Sequence, residues 1–337
     1  QLICPDLPRK DLLTYLEAIL RVYNRHGRRD NKYKARIKIL VKALGIDSFR
    51  SEVEDEWATI RQSGLQLTDE DIEKMRANFI APGYQDFAAH TDDAPGETLL
   101  DPDFARWMKS NTVKHRRNGY TGVLITLKNG QLPPGDATHQ QMDTLADLSE
   151  AFSGGSIVVT HRQNLVFPDV PTDQLHRLWQ QLKILGLGTA NGNHMSDSIA
   201  CPGLDYCSLA SARSIDIAQD VSKRFEALDQ KEDLGPVHLN ISGCINACGH
   251  HHVGHIGILG INKLGEEFYQ VSLGGSSGFD ASIGTILGRA FSRTEISDAL
   301  DTVLRTYLSL RTSTEETLLT TYRRVGIEPF QEALYDD

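Results

Sequence analysis

The spacing of apolar residues in the middle of the chain predicts a small module of strands and helices. Residues 121–127 form a short β-branched run, and residues 156–160 form another that continues as residues 164–167, so both runs are predicted to be strands. Residues 140–153 and 172–185 repeat apolar positions at helical spacing. The resulting order, β-α-β-β-α, is typical of a ferredoxin-like half-module.

Three more strands and two closing helices are predicted in the C-terminal part of the chain. The strands cover residues 238–242, 255–261 and 268–273. The spacing of a capping box precedes each helix, as Ser292-x-x-Glu295 and Ser313-x-x-Glu316. Together these elements predict an α+β fold, in which the ferredoxin-like half-module is followed by an α/β domain.

Two segments near the ends of the chain are similar to each other. Residues 18–49 and 302–330 share a Leu-Arg-x-Tyr opening and a Gly-Ile-acid-x-Phe ending. In both, the glycine is placed to end a helix in a left-handed cap. We therefore expect two copies of one closing helical motif. Because the chain also begins at Gln1 without an initiator methionine, we expect a fragment that lacks the body of the earlier repeat.

These patterns divide the chain into four parts. Residues 55–112 are polar, contain Pro-Gly breakers and include one short predicted helix at residues 69–78, so they are predicted to be a connector. The expected domains are the closing helices of a preceding repeat (1–54), the connector (55–112), the ferredoxin-like half-module (113–190) and a cofactor-binding domain (191–337).

Composition and charge narrow the function classes. The 337 residues carry a formal net charge of −10, and an acidic chain is not expected to wrap nucleic acid. The sequence contains no apolar run long enough to predict a membrane span. No secretory leader is visible at the start, and reduced cysteines fit a cytosolic compartment, so we expect a cytoplasmic location.

Four cysteines are the candidate metal ligands. Cys201 and Cys207 form a C-x5-C pair, and Cys244 and Cys248 form a C-x3-C pair after 36 intervening residues. Two distant tight pairs are suited to holding one compact centre from two sides. Thiolates are the soft ligands that zinc and iron–sulfur clusters select. The fifth cysteine, Cys4, has no partner nearby in sequence and is interpreted as a bystander.

Three kinds of centre are compatible with this spacing. Two disulfides could join the four cysteines, although a chain of this length does not need them. Structural zinc usually takes ligand pairs that are two to four residues apart, and the x5 gap is wide for that. A cubane cluster tolerates wider gaps, because each cysteine binds a different iron. The histidines that follow, residues 250–255, are expected to pack or to support the cluster, with His250 as a candidate proton donor, and not to form a separate metal site.

The sequence motifs around the cysteines resemble those of the sulfite and nitrite reductase hemoproteins. The second pair reads Cys244-Ile-Asn-Ala-Cys-Gly249, where that family typically has proline at the position of Ile245. The resemblance implies a [4Fe–4S] cluster bound by Cys201, Cys207, Cys244 and Cys248 and joined to siroheme, with the Cys248 sulfur as the bridge. It also implies one half of a pseudo-twofold duplicated architecture.

The same resemblance suggests which side chains contact siroheme, a polycarboxylate. The basic segment 28–38, predicted to be helical, supplies Arg29, Arg36 and Lys38 as carboxylate partners. Gln163, on the predicted second strand, is expected to hydrogen-bond siroheme, whereas alternation along that strand would point Arg162 to the opposite face. Asn246, between the ligands of the second pair, is expected to hydrogen-bond the cofactor.

The function implied is that of the hemoprotein component of an assimilatory sulfite or nitrite reductase. Such enzymes reduce sulfite to sulfide, or nitrite to ammonia, with six electrons that a flavoprotein or a ferredoxin donates. The anion-binding cations of this family come mainly from its N-terminal half, so the catalytic residues stay unknown and the fragment is not expected to turn over. The alternatives are an iron–sulfur electron-transfer or scaffold module without its own substrate, and a zinc-stabilised structural protein.

Overall fold

The computed structural model describes residues 1–31, 33–79, 83–84 and 101–335, which belong to two compact units. The first unit is Gln1–Tyr84 and the second is Gln85–Asp337. Part of the predicted connector, residues 80–82 and 85–100, lies outside the described residues, as does Lys32 in the basic segment. Within the described residues, no helix is both long and apolar enough to cross a membrane.

The first unit is helical. Its core contains Tyr15, Ala18 and Val22 of the first helix, which pack with Phe49 and Val53 of the third. Its helices are α1 (Leu12–His26), α2 (Ile37–Leu44), α3 (Ile46–Ile60) and α4 (Asp69–Arg76). Helix α4, which a Thr68–Asp71 capping box begins, confirms the short helix predicted at residues 69–78. The predicted domain division at residue 54 falls inside α3.

The basic segment is not a helix, which corrects the helical prediction for residues 28–36. Helix α1 ends at His26, and α2 begins only at Ile37. Between them, the Arg28 guanidinium pairs with Asp30, and the Asn31 side chain accepts the backbone N–H of Tyr33 at 3.0 Å. Such local side-chain bonds offer the backbone an alternative to the helix. Arg29 and Arg36 therefore do not share a helical face.

The second unit begins with the ferredoxin-like half-module, and its predicted β-α-β-β-α order is confirmed. Helix α5 (Pro102–Asn111) precedes an antiparallel sheet of order β1-β2-β4-β3. The other elements of the module are β1 (Thr112–Lys114), β2 (Tyr120–Thr126), α6 (His139–Phe152), β3 (Val158–Val159), β4 (Asn164–Pro171) and α7 (Leu175–Ile184). Its core buries Trp107 and Trp179 among aliphatic side chains of the sheet.

Residues 160–163 form a turn and not a strand, which corrects the prediction for Arg162 and Gln163. The turn joins β3 to β4, which pair antiparallel. The Thr160 hydroxyl accepts the backbone N–H groups of Arg162 and Asn164, both at 3.2 Å, and so closes the turn. Gln163 has a left-handed φ of +59°. Strand alternation therefore does not separate the two side chains.

The rest of the second unit is built on a six-stranded mixed sheet of order β10-β8-β7-β6-β5. The strands are β5 (Ile199–Ala200), β6 (Leu239–Ser242), β7 (Ile256–Lys263), β8 (Glu266–Leu273), β9 (Thr285–Ile286), which pairs with β8, and β10 (Phe291–Ser292). Strands β5, β6 and β7 are parallel to one another. One face of the sheet is apolar and joins a core with α8 (Ile215–Glu232) and α9 (Ile296–Leu310).

Three helices close the chain, whereas two were predicted. Helix α9 is followed by α10 (Leu318–Val325) and α11 (Glu328–Tyr335). Neither predicted capping box forms completely. Glu295 accepts the backbone N–H of Ser292, but the Ser292 hydroxyl contacts Thr294. The Glu316 carboxylate instead binds Thr312 and Arg324, and Thr317 caps α10.

The predicted internal repeat is visible as two similar sets of three helices. Helices α1 and α9 each have 15 residues, and α2 and α10 each have 8. Gly45 ends α2 with φ +80°, and Gly326 ends α10 with φ +83°. At the equivalent end of α1 and α9, the carbonyls of Tyr23 and Tyr307 accept the capping N–H. The two closing motifs therefore share their caps as well as their sequence.

Candidate iron–sulfur site

The two cysteine pairs start at the carboxyl ends of neighbouring parallel strands. Cys201 directly follows β5, and its backbone N–H donates to the carbonyl of Ile241 in β6 at 3.1 Å. Cys244 lies two residues after β6 ends at Ser242. Loops that leave such strand ends line the crevice where open α/β sheets bind ligands. The fold therefore places both cysteine loops at one edge of the sheet.

The two loops contact each other through Gly243. Its N–H donates to the Sγ atom of Cys201 at 3.0 Å. Its carbonyl accepts the N–H groups of Ser211 and Ala212 at 2.8 Å and 3.0 Å. A Cβ atom at Gly243 would lie 2.6 Å from the carbonyl oxygen of Ala212 and 2.9 Å from Cα of Gly203. Only glycine allows the two loops to approach this closely.

Each loop has a compact internal structure. In the first, the N–H of Cys207 donates to the carbonyl of Gly203 at 2.9 Å. In the second, the N–H of Ala247 donates to the carbonyl of Cys244 at 3.1 Å, and Ala247 has a left-handed φ of +57°. A Cβ atom at Gly249 would lie only 1.9 Å from the carbonyl oxygen of Ile241, so the chain passes β6 in direct contact.

The four thiols are free and differ in exposure. Cys244 is buried, Cys201 and Cys207 are partly buried, and Cys248 is exposed. The disulfide alternative is therefore not what the structure shows. Among the described side chains, no three from His, Cys, Asp or Glu are grouped closely enough to hold one metal ion. A cubane cluster instead places each thiolate on a separate iron, so the donor set fits a [4Fe–4S] cluster.

The histidine-rich segment packs against the polar face of the sheet. The side-chain amide of Asn240 in β6 donates to the carbonyl of His250 at 3.0 Å. A Cβ atom on Gly257 would lie 2.1 Å from the carbonyl oxygen of His251, so the main chain of this segment packs directly against β7. Burial, followed by the charge of His252, lowers the pKa of His251 to about 4. The segment thus has the packing role expected from the sequence.

The Gln163 side chain binds the main chain next to the first cysteine. Its Nε2 donates to the carbonyl of Ala200 at 2.8 Å, and its Oε1 accepts the N–H of Ala200 at 3.0 Å. Arg162 donates to the carbonyl of Asp197 at 3.2 Å. The turn of the half-module therefore contacts the segment that leads into Cys201. The sequence offered no sign of this contact, because it joins residues 37 positions apart through a left-handed turn.

A buried ion pair supports the same segment. The Lys128 ammonium lies 2.9 Å from Oδ1 of Asp197, and the two side chains are 1% and 0% exposed. The ammonium also donates to the carbonyl of Arg162 and to the side chain of Asn164. Burial lowers the pKa of Lys128, although the Asp197 charge opposes that shift. The only local signal in the sequence was a lysine that directly follows an apolar strand.

The other predicted siroheme contacts lie in two places. Asn246 is exposed beside the second cysteine pair. The three basic residues belong to the first unit, where two of them have local partners. Arg29 donates to Asn24 at 2.6 Å, and Arg36 donates to the carbonyl of Ala35 at 2.9 Å. Lys38 lines a largely apolar cavity of about 490 Å³.

Two family models match this chain. A family model described as "Nitrite and sulphite reductase 4Fe-4S domain" matches residues 2–60 and 191–337. A second model, "Nitrite/Sulfite reductase ferredoxin-like half domain", matches residues 119–184. Both cysteine pairs lie within the first match.

Curated relatives are named for either anion. "Sulfite reductase [ferredoxin] 1" of Mycolicibacterium paratuberculosis is 28% identical over 319 residues, which cover 92% of this chain and 50% of that protein. The chloroplastic ferredoxin–nitrite reductase of Arabidopsis thaliana is 25% identical over 296 residues, which cover 86% of this chain and 44% of that protein. The chain thus spans about half the length of the curated relatives it matches.

Solved structures show the same fold. The Mycobacterium tuberculosis NirA protein matches with a TM-score of 0.65 and 25% identity, over 98% of this chain and 55% of that one. A dissimilatory sulfite reductase I matches with a TM-score of 0.52 and 12% identity, over 64% of this chain and 69% of that one, which shows the fold alone. Together with the cysteine loops and the two matched models, these findings show that the chain belongs to the nitrite and sulphite reductase 4Fe-4S domain family.

Proposed function

We propose that this chain is the iron–sulfur part of the hemoprotein component of an assimilatory sulfite or nitrite reductase. The activity proposed is the six-electron reduction of sulfite to sulfide or of nitrite to ammonia. The observation that carries the proposal is the hydrogen bond from the N–H of Gly243 to Sγ of Cys201 at 3.0 Å. It joins the two cysteine loops at one edge of the sheet, where four thiolates can hold one cluster.

The chain's own residues would hold and tune this centre. Cys201, Cys207, Cys244 and Cys248 are the proposed cluster ligands, and a cluster with siroheme would supply electron transfer and the iron at which the anion is reduced. The Gly243 N–H stabilises negative charge on Cys201, because hydrogen bonds to ligand sulfur tune such centres. Burial of Cys244 keeps water from its sulfur. The exposed Cys248 is the proposed sulfur bridge to siroheme.

Siroheme contacts are proposed from family resemblance for four residues. Arg29, Arg36 and Lys38 supply cations suited to carboxylate groups, and Asn246 supplies an exposed amide next to Cys248. The siroheme contact expected of Gln163 stays a prediction. Its amide makes two bonds to Ala200, which leave the second N–H of Nε2 and the second lone pair of Oε1 for another partner.

Sulfite and nitrite both stay proposed substrates, since relatives are named for each. Ferredoxin is the proposed electron donor, because it stands in the names of these relatives; a flavoprotein donor has no such support. The cytoplasmic location expected from the reduced cysteines stays a prediction. An iron–sulfur electron-transfer or scaffold module is the second candidate, since the chain spans about half of its relatives.

The test is an absorption spectrum with iron and acid-labile sulfide analysis, on protein purified without oxygen and with siroheme supplied. We expect siroheme bands and slightly more iron than acid-labile sulfide, because a [4Fe–4S] cluster holds the two in equal amounts and siroheme adds one iron. Cluster bands without siroheme bands would favour the electron-transfer module instead. A colourless, iron-free chain that gains neither centre on reconstitution would contradict the proposal.

Two serine variants provide the matched comparison. Cys244→Ser removes a buried proposed ligand, and we expect the iron and sulfide content to fall strongly. Cys4→Ser changes a half-buried thiol of the first unit, and we expect no change in either content. Equal loss in the two variants would show that general destabilisation, and not ligation, is being measured.

A further inference from the structure

The side-chain amide of Gln163 makes the two hydrogen bonds that a residue of a neighbouring strand would make. Strand β5 has only two residues, Ile199 and Ala200, and pairs with β6 on one side. Because the N–H of Cys201 points toward β6, alternation directs the N–H and carbonyl of Ala200 to the opposite edge. There the Gln163 amide donates to the carbonyl at 2.8 Å and accepts from the N–H at 3.0 Å. Both edge groups are thereby satisfied.

The backbone conformation and the neighbouring contacts of the turn fix the position of Gln163. Its φ of +59° is left-handed, a conformation that costs free energy for residues other than glycine. The neighbouring Gly135 leaves room, since a Cβ atom there would lie 3.0 Å from Cβ of Gln163. The adjacent Arg162 donates to the carbonyl of Asp197 at 3.2 Å. The turn is thus fixed on two sides, and its amide is directed at Ala200.

Cys201, the first proposed cluster ligand, directly follows Ala200 in the chain. Sγ of Cys201 accepts the N–H of Gly243 at 3.0 Å and lies 3.6 Å from the hydroxyl of Ser214. The Ser214 hydroxyl also bonds the carbonyl of Cys201. Hydrogen bonds to cluster sulfur favour the reduced, more negative state and raise the reduction potential. The position of the Cys201 main chain therefore decides how well the Gly243 N–H can act on the sulfur.

We propose that Gln163 is a positioning residue for the iron–sulfur cluster. Its amide fixes the main chain of Ala200, and this holds Sγ of Cys201 against the N–H of Gly243. The ferredoxin-like half-module thereby tunes the cluster through one side chain. This inference rests on the proposed function, because it assumes a cluster on Cys201. The siroheme contact that the sequence predicted for the same residue stays a separate prediction.

The test compares Gln163→Ala with Gln141→Ala in the full chain, purified without oxygen and loaded with cluster. Gln141 is a matched control, because its amide also makes two main-chain bonds in the half-module, to Thr138 and Leu185. We expect Gln163→Ala to shift the cluster's midpoint potential to more negative values. We also expect the amide of Ala200 to exchange hydrogen about tenfold faster, since a bond of about 1.4 kcal/mol is lost. Gln141→Ala should change neither quantity.

A second variant, Gln163→Glu, covers the case in which the alanine variant loads poorly. A glutamate can still accept the N–H of Ala200 but places a carboxylate beside its carbonyl. We expect the Ala200 amide to stay protected while the potential shifts to more negative values. The exchange measurement needs no cluster, so poor loading does not remove the test.

Three results would overturn the inference. One is an unchanged potential in both Gln163 variants, and another is an unchanged exchange rate at Ala200 in Gln163→Ala. The third is altered siroheme bands with an unchanged cluster potential, which would assign Gln163 to siroheme binding instead. A wild-type chain that takes up no iron or sulfide would instead contradict the proposed function, so the two failures are distinguishable.

Discussion

Replacing Lys128 with methionine removes the charge that compensates the buried Asp197. The two side chains are 1% and 0% exposed, and their charged atoms are 2.9 Å apart. Only Arg162 provides another nearby cation among the described residues, at 3.9 Å from the Asp197 carboxylate. Removing one partner of a buried pair typically costs 3–5 kcal/mol, because the other charge stays buried. We therefore expect Lys128→Met to lower the free energy of unfolding by about 4 kcal/mol.

Urea unfolding followed by tryptophan fluorescence measures this loss. Trp107 and Trp179 lie in the core of the half-module, and a Trp57→Phe background removes the tryptophan of the first unit. The double variant Lys128→Met with Asp197→Asn removes both charges, and we expect it to regain about 1–3 kcal/mol through the coupling of neighbouring sites.

The exposed pair of Lys109 and Asp233 is the control. Its charged atoms are 3.1 Å apart, but the side chains are 78% and 57% exposed. Lys109→Met should therefore cost less than about 1 kcal/mol. If Lys128→Met costs no more than Lys109→Met, burial does not govern the energetics of this pair and the reasoning is refuted.

Three further variants test other parts of the structure. Burial, followed by the charges of Arg162 and His255, lowers the pKa of His238 from 6.5 to about 3. Between these values the unfolded chain binds more protons, so the free energy of unfolding falls as the pH is lowered. We expect His238 to contribute a loss of about 2 kcal/mol between pH 7 and pH 5. His238→Gln should remove this share in urea titrations while the shares of His251 and His255, whose pKa values are also lowered, remain; an unchanged loss would contradict this. Gly249→Ala should lose bound iron, because its Cβ would lie 1.9 Å from an oxygen of β6, and normal iron content would contradict this. Gly45→Ala meets no atom within 4 Å, so any fall in melting temperature measures strain at φ +80° and ψ 153°, about 1–3 kcal/mol.

Sequence patterns predicted the elements that local spacing determines. The cysteine pairs, the β-α-β-β-α order and the repeated closing helices all rest on residues close together in the chain, and the structure contains each of these elements. The helix predicted for the basic segment does not form, because Asn31 and Asp30 make local hydrogen bonds that compete with helical ones. Helical spacing alone gives no measure of that competition.

The sequence could not predict the contacts near Cys201, for a different reason. Lys128 meets Asp197 across 69 positions, and Gln163 meets Ala200 across 37. Both contacts depend on how two sheets of the second unit are joined, and no periodicity encodes that arrangement. Gln163 also requires a left-handed backbone that its residue type does not favour.

The two closing motifs are similar in sequence but differ in burial. By the repeat, Leu16 and Leu20 of α1 correspond to Leu300 and Leu304 of α9. The first two are 45% and 53% exposed, whereas the second two are completely buried. A deep mutational scan scored by abundance therefore has an internal reference. The loss of abundance caused by polar substitutions at Leu300 and Leu304 is that of a fully buried site. The loss at Leu16 and Leu20, compared with it, measures how far α1 is buried by other protein surface in the cell.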